Sequence, residues 1–211
     1  FIGENLAARG PDFQTGLVRA TGISSKAAKR ELEAAISAAF TFAAWADKYD
    51  GRIKGTAFRN VTLAMNEAAG VLGIRCSDRA PLASTLGPTL AAVAMGNAVV
   101  AALPSRHPVP GLDILQVLET SDVPPGVINL ITGLPEEVIP TLAAHDDVDQ
   151  FWDFVGDDWT QEAERLSAGN LKRVWRAGPT APDWLKLSAN DEAALLRNGT
   201  RVKNIWVPYG A

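Results

Sequence analysis

Residues 70–103, GVLGIRCSDRAPLASTLGPTLAAVAMGNAVVAAL, decide the fold. The run opens on GVLGI, a short apolar stretch of the kind that forms a strand buried on both faces. Residues 82–95, LASTLGPTLAAVAM, read as an Ala-rich helix interrupted at Gly87-Pro88. Gly96-Asn97 ends that helix, because glycine readily takes the left-handed conformation just past a helix C-terminus. AVVAAL, residues 98–103, is a second buried strand. Strand, helix and strand over this length make a parallel βαβ unit.

The pattern repeats downstream. Residues 111–120 read as a helix and 126–132 as a strand introduced by Pro124-Pro125. Residues 135–145 read as a helix, 148–155 as a strand, 162–168 as a helix and 170–177 as a fifth strand. Apolar strands alternating with helices predict an α/β fold, a parallel sheet with helices on both faces. Upstream, residues 24–48 have apolar residues at helical spacing, with Ser24 or Ser25 as the cap. Residues 52–65, RIKGTAFRNVTLAM, alternate like an exposed hairpin, and residues 200–210, TRVKNIWVPYG, like one exposed strand. Between 178 and 200 turn residues dominate, with one helical piece at 191–197.

Composition narrows the function. The chain has 211 residues, 47% of them hydrophobic and 21% charged, with a net charge of −4. It has no clustered basic face for nucleic acid. Each apolar run is broken before the roughly 18 residues of a membrane span. The single cysteine excludes an internal disulfide and, with no visible signal peptide, leads to an expectation of a cytoplasmic protein. The charged start, FIGENLAARG, reads as the middle of a longer chain.

The segments EAAGVLGI, AMGNAVVAALPSRHP, DVPPGVINLITG and LAAHDDVDQFWDFVG resemble the cofactor domain of the aldehyde dehydrogenase superfamily. Their spacing fits without gaps from Gly70 to about Gly156. AAWADKYDG resembles the two-copy branch, aldehyde dehydrogenase 16, in which a degenerate second unit follows a first. The resemblance implies a Rossmann-like domain over residues 1–177, including the 52–65 hairpin. Residues 178–211 would then be a linker and a C-terminal strand, with the catalytic domain missing. Hairpin and strand are expected to pair into a small antiparallel flap for oligomerisation. One face of that flap would carry Phe58, Val61, Leu63, Ile205 and Val207.

The same resemblance marks what has changed. Arg79 stands where the family has the Asn that holds the oxyanion, and its length does not reproduce a short amide donor. Ala102 and Ser105 stand at the Lys and Glu that grip the adenosine ribose. The turn Asp153-Phe154-Val155-Gly156-Asp157-Asp158 replaces Phe-Thr-Gly-Ser, with Gly156 at a degenerate phosphate-facing position. Its three carboxylates are expected to repel a phosphate. Ala177 stands at the position of the general-base Glu. No intact catalytic, cofactor-binding or metal-ligating residue is therefore expected. This chain is expected to bind no cofactor, NAD belonging to the associated catalytic unit.

Other reactive side chains read as structural. Cys76 lies at a buried strand position. His107 and His145 follow no metal spacing. Asp146, Asp147, Asp149, Asp153, Asp157 and Asp158 read as a solvated acidic face. Trp45, Trp152 and Trp175 read as core, and Trp159, Trp184 and Trp206 as interface candidates. The expectation is a non-catalytic domain that supports assembly of a catalytic NAD-dependent aldehyde dehydrogenase unit. Its partner would be that unit or a second copy, met through the flap. The alternative is a dehydrogenase fragment that still binds cofactor and oxidises aldehydes with a Cys from elsewhere.

Overall fold

A computed structural model describes residues 1–57, 59–177 and 181–209. Helices α1 (Ile2–Ala8), α2 (Gly10–Thr21) and α3 (Ser25–Trp45) come first. The Ser24 hydroxyl accepts from the Ala27 N–H at 3.2 Å and so caps α3. Strands β1 (Arg52–Gly55) and β2 (Asn60–Ala68) form the expected hairpin.

The sheet domain follows as β3 (Val71–Arg75), α4 (Pro81–Ala94), β4 (Ala98–Ala102), α5 (Val109–Leu112), α6 (Leu115–Glu119), β5 (Ile128–Ile131), α7 (Pro135–Ala144), β6 (Gln150–Asp153), α8 (Asp158–Ser167) and β7 (Arg173–Arg176). The five strands are parallel in the order β5-β4-β3-β6-β7. The larger core lies on one face, where Leu72, Ile74, Leu82, Leu86 and Val99 pack with Phe42 of α3. The smaller lies on the other, where Ile139, Leu142, Phe151 and Ala163 meet beneath α7 and α8. Helix α9 (Ala189–Asn198) then leads into β8 (Thr200–Pro208). Strand β8 pairs antiparallel with the whole of β2, giving a second sheet of order β1-β2-β8.

The expected pairing of the hairpin with the C-terminal strand is thus present as a small antiparallel sheet. Register places Val61 opposite Val207 and Leu63 opposite both Ile205 and Ile53, so these residues share one face. Phe58 lies outside the described residues. Asn97 anchors the root of the flap. Its side-chain oxygen accepts from the Ala69 and Gly70 N–H groups, and its amide donates to the carbonyls of Ala92 and Gly199. Gly70 is required there. Its φ is +124°, and a Cβ would lie 2.0 Å from the Asp149 carboxylate that accepts from the Val71 N–H.

Four expectations are corrected. Helix α4 runs through Gly87-Pro88 without a break, since burial on almost every side outweighs the one N–H that proline lacks. Residues 111–120 are not one helix; α5 and α6 are separate short turns of chain. Trp184 is core rather than surface, at 5% exposure. It sits on Gly87, where a Cβ would come within 3.0 Å of its ring, and meets Phe154 edge-on at 5.0 Å. The acidic residues are not uniformly solvated, because Asp153 is fully buried. Trp159 is half-buried and Trp206 is 69% exposed.

Candidate functional site

In an open parallel sheet the ligand crevice lies beyond the carboxyl ends of the strands, where successive connections diverge. Here that point falls between β3 and β6, since the chain moves outward from β3 through β4 to β5, then returns to the other side. The last residues of the four strands concerned line up across the sheet. Ile131 pairs with Ala102, Ala102 with Arg75, and Arg75 with Asp153. Above them is a cavity of about 250 Å³ lined by Arg75, Cys76, Ala102, Ser105, Asp157 and Trp159, among others.

Arg75 dominates this cavity. Burying a guanidinium is costly unless it is paired, and this one is paired with two carboxylates. Its Nη1 and Nη2 donate to the two oxygens of Asp157 at 2.6 and 2.7 Å, a forked geometry. Nη1 also reaches Asp153 Oδ2 at 3.3 Å. Asp153 accepts further bonds from the N–H groups of Val155 and Gly156 and from the Thr160 hydroxyl, which satisfies it without solvent. Asp157 is also the N-cap of α8, accepting from the Trp159 N–H at 3.1 Å. The forked bond to Arg75 holds the Asp157 carboxyl below the usual aspartate range, against a smaller upward push from burial.

The opposite rim is closed by Asp78, which accepts from the Arg106 N–H at 2.8 Å and from the Ser105 hydroxyl at 3.2 Å. That ties the β3–α4 loop to the segment after β4. Arg79 lies exposed on this loop. Ala80 has a left-handed φ of 56° and offers α4 no side-chain cap. The missing cap comes from α3, where the buried Glu31 carboxylate accepts from the Leu82 N–H at 2.7 Å. Desolvation pushes the Glu31 carboxyl up, against the backbone N–H bonds and the charge of His107.

The positions singled out in the sequence therefore scatter. Ala102, Ser105 and Gly156 lie at or beside the crevice, Arg79 on its outer lip, and Ala177 in the core at 3% exposure. Cys76 is 3% exposed, and burial pushes its thiol up to about 12. His107 lies against the Ala20 carbonyl at 3.1 Å and His145 follows α7, and neither lines the crevice. Among the described residues no group of His, Cys, Asp and Glu is arranged to hold a metal ion. Sequence reasoning missed Arg75. The available signal was a charged residue ending an apolar strand, which needs a buried partner. The three-carboxylate turn is also not a bare negative patch, since Asp153 and Asp157 are both tied to Arg75.

Comparison with known proteins agrees with this architecture. The chain is 34% identical over 141 residues to the mitochondrial aldehyde dehydrogenase of Homo sapiens, covering 63% of this chain and 26% of that protein. It is 31% identical over 134 residues to the NADP/NAD-dependent aldehyde dehydrogenase PuuC of Escherichia coli (strain K12), covering 61% and 26%. The chain thus matches about a quarter of the length of these relatives. The solved lactaldehyde dehydrogenase of Escherichia coli superposes with a TM-score of 0.78 at 20% identity, over 83% of this chain and 37% of that one. At that identity the likeness concerns the fold. A sequence model of the aldehyde dehydrogenase family matches residues 2–177, and the chain belongs to that family.

Proposed function

We propose that this chain is a non-catalytic aldehyde dehydrogenase-like domain, of the kind found as the degenerate second unit of aldehyde dehydrogenase 16. It would support assembly of a catalytic NAD-dependent aldehyde dehydrogenase unit in the cytoplasm. The state of the only cysteine carries the reading. Thiohemiacetal chemistry needs an accessible thiolate beside a base. Cys76 is a buried thiol with its pKa pushed up to about 12, and Ala177, at the family's base position, is a core methyl group.

The crevice does not fit a dinucleotide either. Ala102 offers a methyl where a ribose needs a polar grip, and Ser105 is bonded to Asp78. The start of α8, the natural seat for a phosphate, is capped by Asp157. No step is therefore assigned to NAD on this chain. What the chain does offer is the flap, whose shared face leaves Ile53 77%, Met65 44%, Ile205 38% and Val207 46% exposed. An apolar sheet face with a free edge strand is suited to a partner's surface. On this reading the catalytic dehydrogenase unit covers it.

The test is incubation of the chain with NAD and an aldehyde. The expected result is no NADH above background and no saturable NAD binding at micromolar concentration by calorimetry. Turnover would establish the alternative, a dehydrogenase fragment that works with a Cys from elsewhere. Tight binding without turnover would make the chain a nucleotide-binding module.

A further inference from the structure

The misfit between the crevice and a phosphate-bearing ligand has a specific cause, and this inference rests on the non-catalytic reading above. We propose that Asp157 is an internal stand-in for an anionic ligand, its carboxylate occupying the buried cationic position of the crevice and keeping phosphate groups out.

Three observations converge on this. First, Arg75 lies at 6% exposure on the carboxyl end of β3, the central strand, and lines the cavity with both terminal nitrogens engaged. Second, the group that engages both of them is not part of the sheet. Asp157 is on the turn after β6, and its side chain is 45% exposed, so the carboxylate enters the crevice from its open side as a ligand would. The forked contact at 2.6 and 2.7 Å is the geometry by which guanidinium groups hold carboxylates and phosphates alike. Third, the same carboxylate takes the Trp159 N–H in the first turn of α8, so the cation and the free helix donor are spent together.

Charge completes the argument. Arg75 faces both Asp153 and Asp157, so its one positive charge is already matched by carboxyl groups of the chain and none is left over for a second anion. Without Asp157, Arg75 keeps one carboxylate partner, at 3.3 Å, and the cavity beside it is open to an anion of similar size. Asp153 does not act the same way. It is fully buried and bonded from four directions, which makes it part of the wall.

The experiment uses the full chain and its Asp157→Gly variant, with inorganic phosphate as the probe followed by calorimetry. Glycine is tolerated as an N-cap, so α8 itself is expected to survive the change. The variant is expected to bind phosphate saturably and at least tenfold more tightly than the unaltered chain. Acetate should compete, because it restores the missing carboxylate. The double variant Arg75→Gln, Asp157→Gly should lose the gain. A folded Asp157→Gly chain, melting cooperatively, that binds phosphate no better than the unaltered one overturns the proposal. So does an unaltered chain that already binds phosphate equally well. If Asp157→Gly does not fold, Asp157→Ser keeps a capping hydroxyl on a side chain one atom shorter, withdraws the carboxylate from Arg75 and gives the same readout. NADH formation by the unaltered chain from NAD and an aldehyde would instead defeat the non-catalytic reading, a separate result.

Discussion

Glu31 shows how a single residue couples distant parts of this chain. It sits in the second turn of α3, where a charge at 3% exposure is expensive, yet it supplies the acceptor that Ala80 lacks. Glu31→Ala should cost about 1–3 kcal/mol in denaturant unfolding, since the Leu82 and Ala83 N–H groups are left buried and unpaired. Glu31→Gln keeps an acceptor and removes the titration. The folded-state pKa of Glu31 is raised, so its contribution is fully present below the unfolded glutamate pKa and is lost as pH rises through the folded value. Asp157 has the opposite sign. Its pKa is depressed, so its contribution is present above the unfolded aspartate pKa and lost as pH falls through the folded one. Comparing unfolding at pH values on either side of the glutamate range, the Gln variant should show a flatter decline toward neutral pH than the unaltered chain. An unchanged slope would remove Glu31 from that role. Neither residue's partner is evident from local pattern. Glu31 reads as one more charge in a mixed helix turn, and the bond to Leu82 spans 51 positions.

At the scale of elements, the strands from Gly70 onward were legible because buried parallel strands read as unbroken apolar runs, whereas the helix read over residues 111–120 is two short pieces. The capped start of α3 was legible from Ser24, and the strand pairing of the flap from rough alternation in both segments together with the family resemblance. Helix α4 was misread at Gly87-Pro88 because local propensity points to a break there. The tertiary reason for the pair, a flat seat for Trp184, lies 97 positions on in a stretch that looks like linker. Trp184→Ala should cost about 3–5 kcal/mol, the range for deleting a large buried ring. A loss under about 1 kcal/mol would mean that the segment is not part of the core. For the flap, Ile205→Lys places a charge on the shared apolar face while leaving the β2–β8 backbone ladder intact. It should abolish association with the catalytic unit in light scattering and leave the melt of the sheet domain unchanged. Persistent association would mean that the partner binds elsewhere, and dimerisation of the unaltered chain alone would identify a second copy as the occupant.

For the whole molecule, the parallel sheet with helices on both faces followed from the alternation and the family resemblance, whereas the strand order and the state of the crevice did not. Whether a carboxylate near a crevice repels a ligand or replaces it depends on which cation faces it. Arg75 and Asp157 are brought together only by the folded sheet, 82 positions apart. The β2–β8 ladder bears on the order of events during synthesis. Lys203 bonds Glu67 across a separation of 136 positions, and nine residue pairs join the two strands. A ribosome adding roughly 5–20 residues per second emits β2 on the order of ten seconds before its neighbour exists. Throughout that interval β2 has only β1 beside it and shows a bare backbone edge next to Val61 and Leu63. The incomplete chain, more than the finished protein, is therefore the species that exposes this edge, and slowing translation between the β2 and β8 codons is expected to lower the soluble yield.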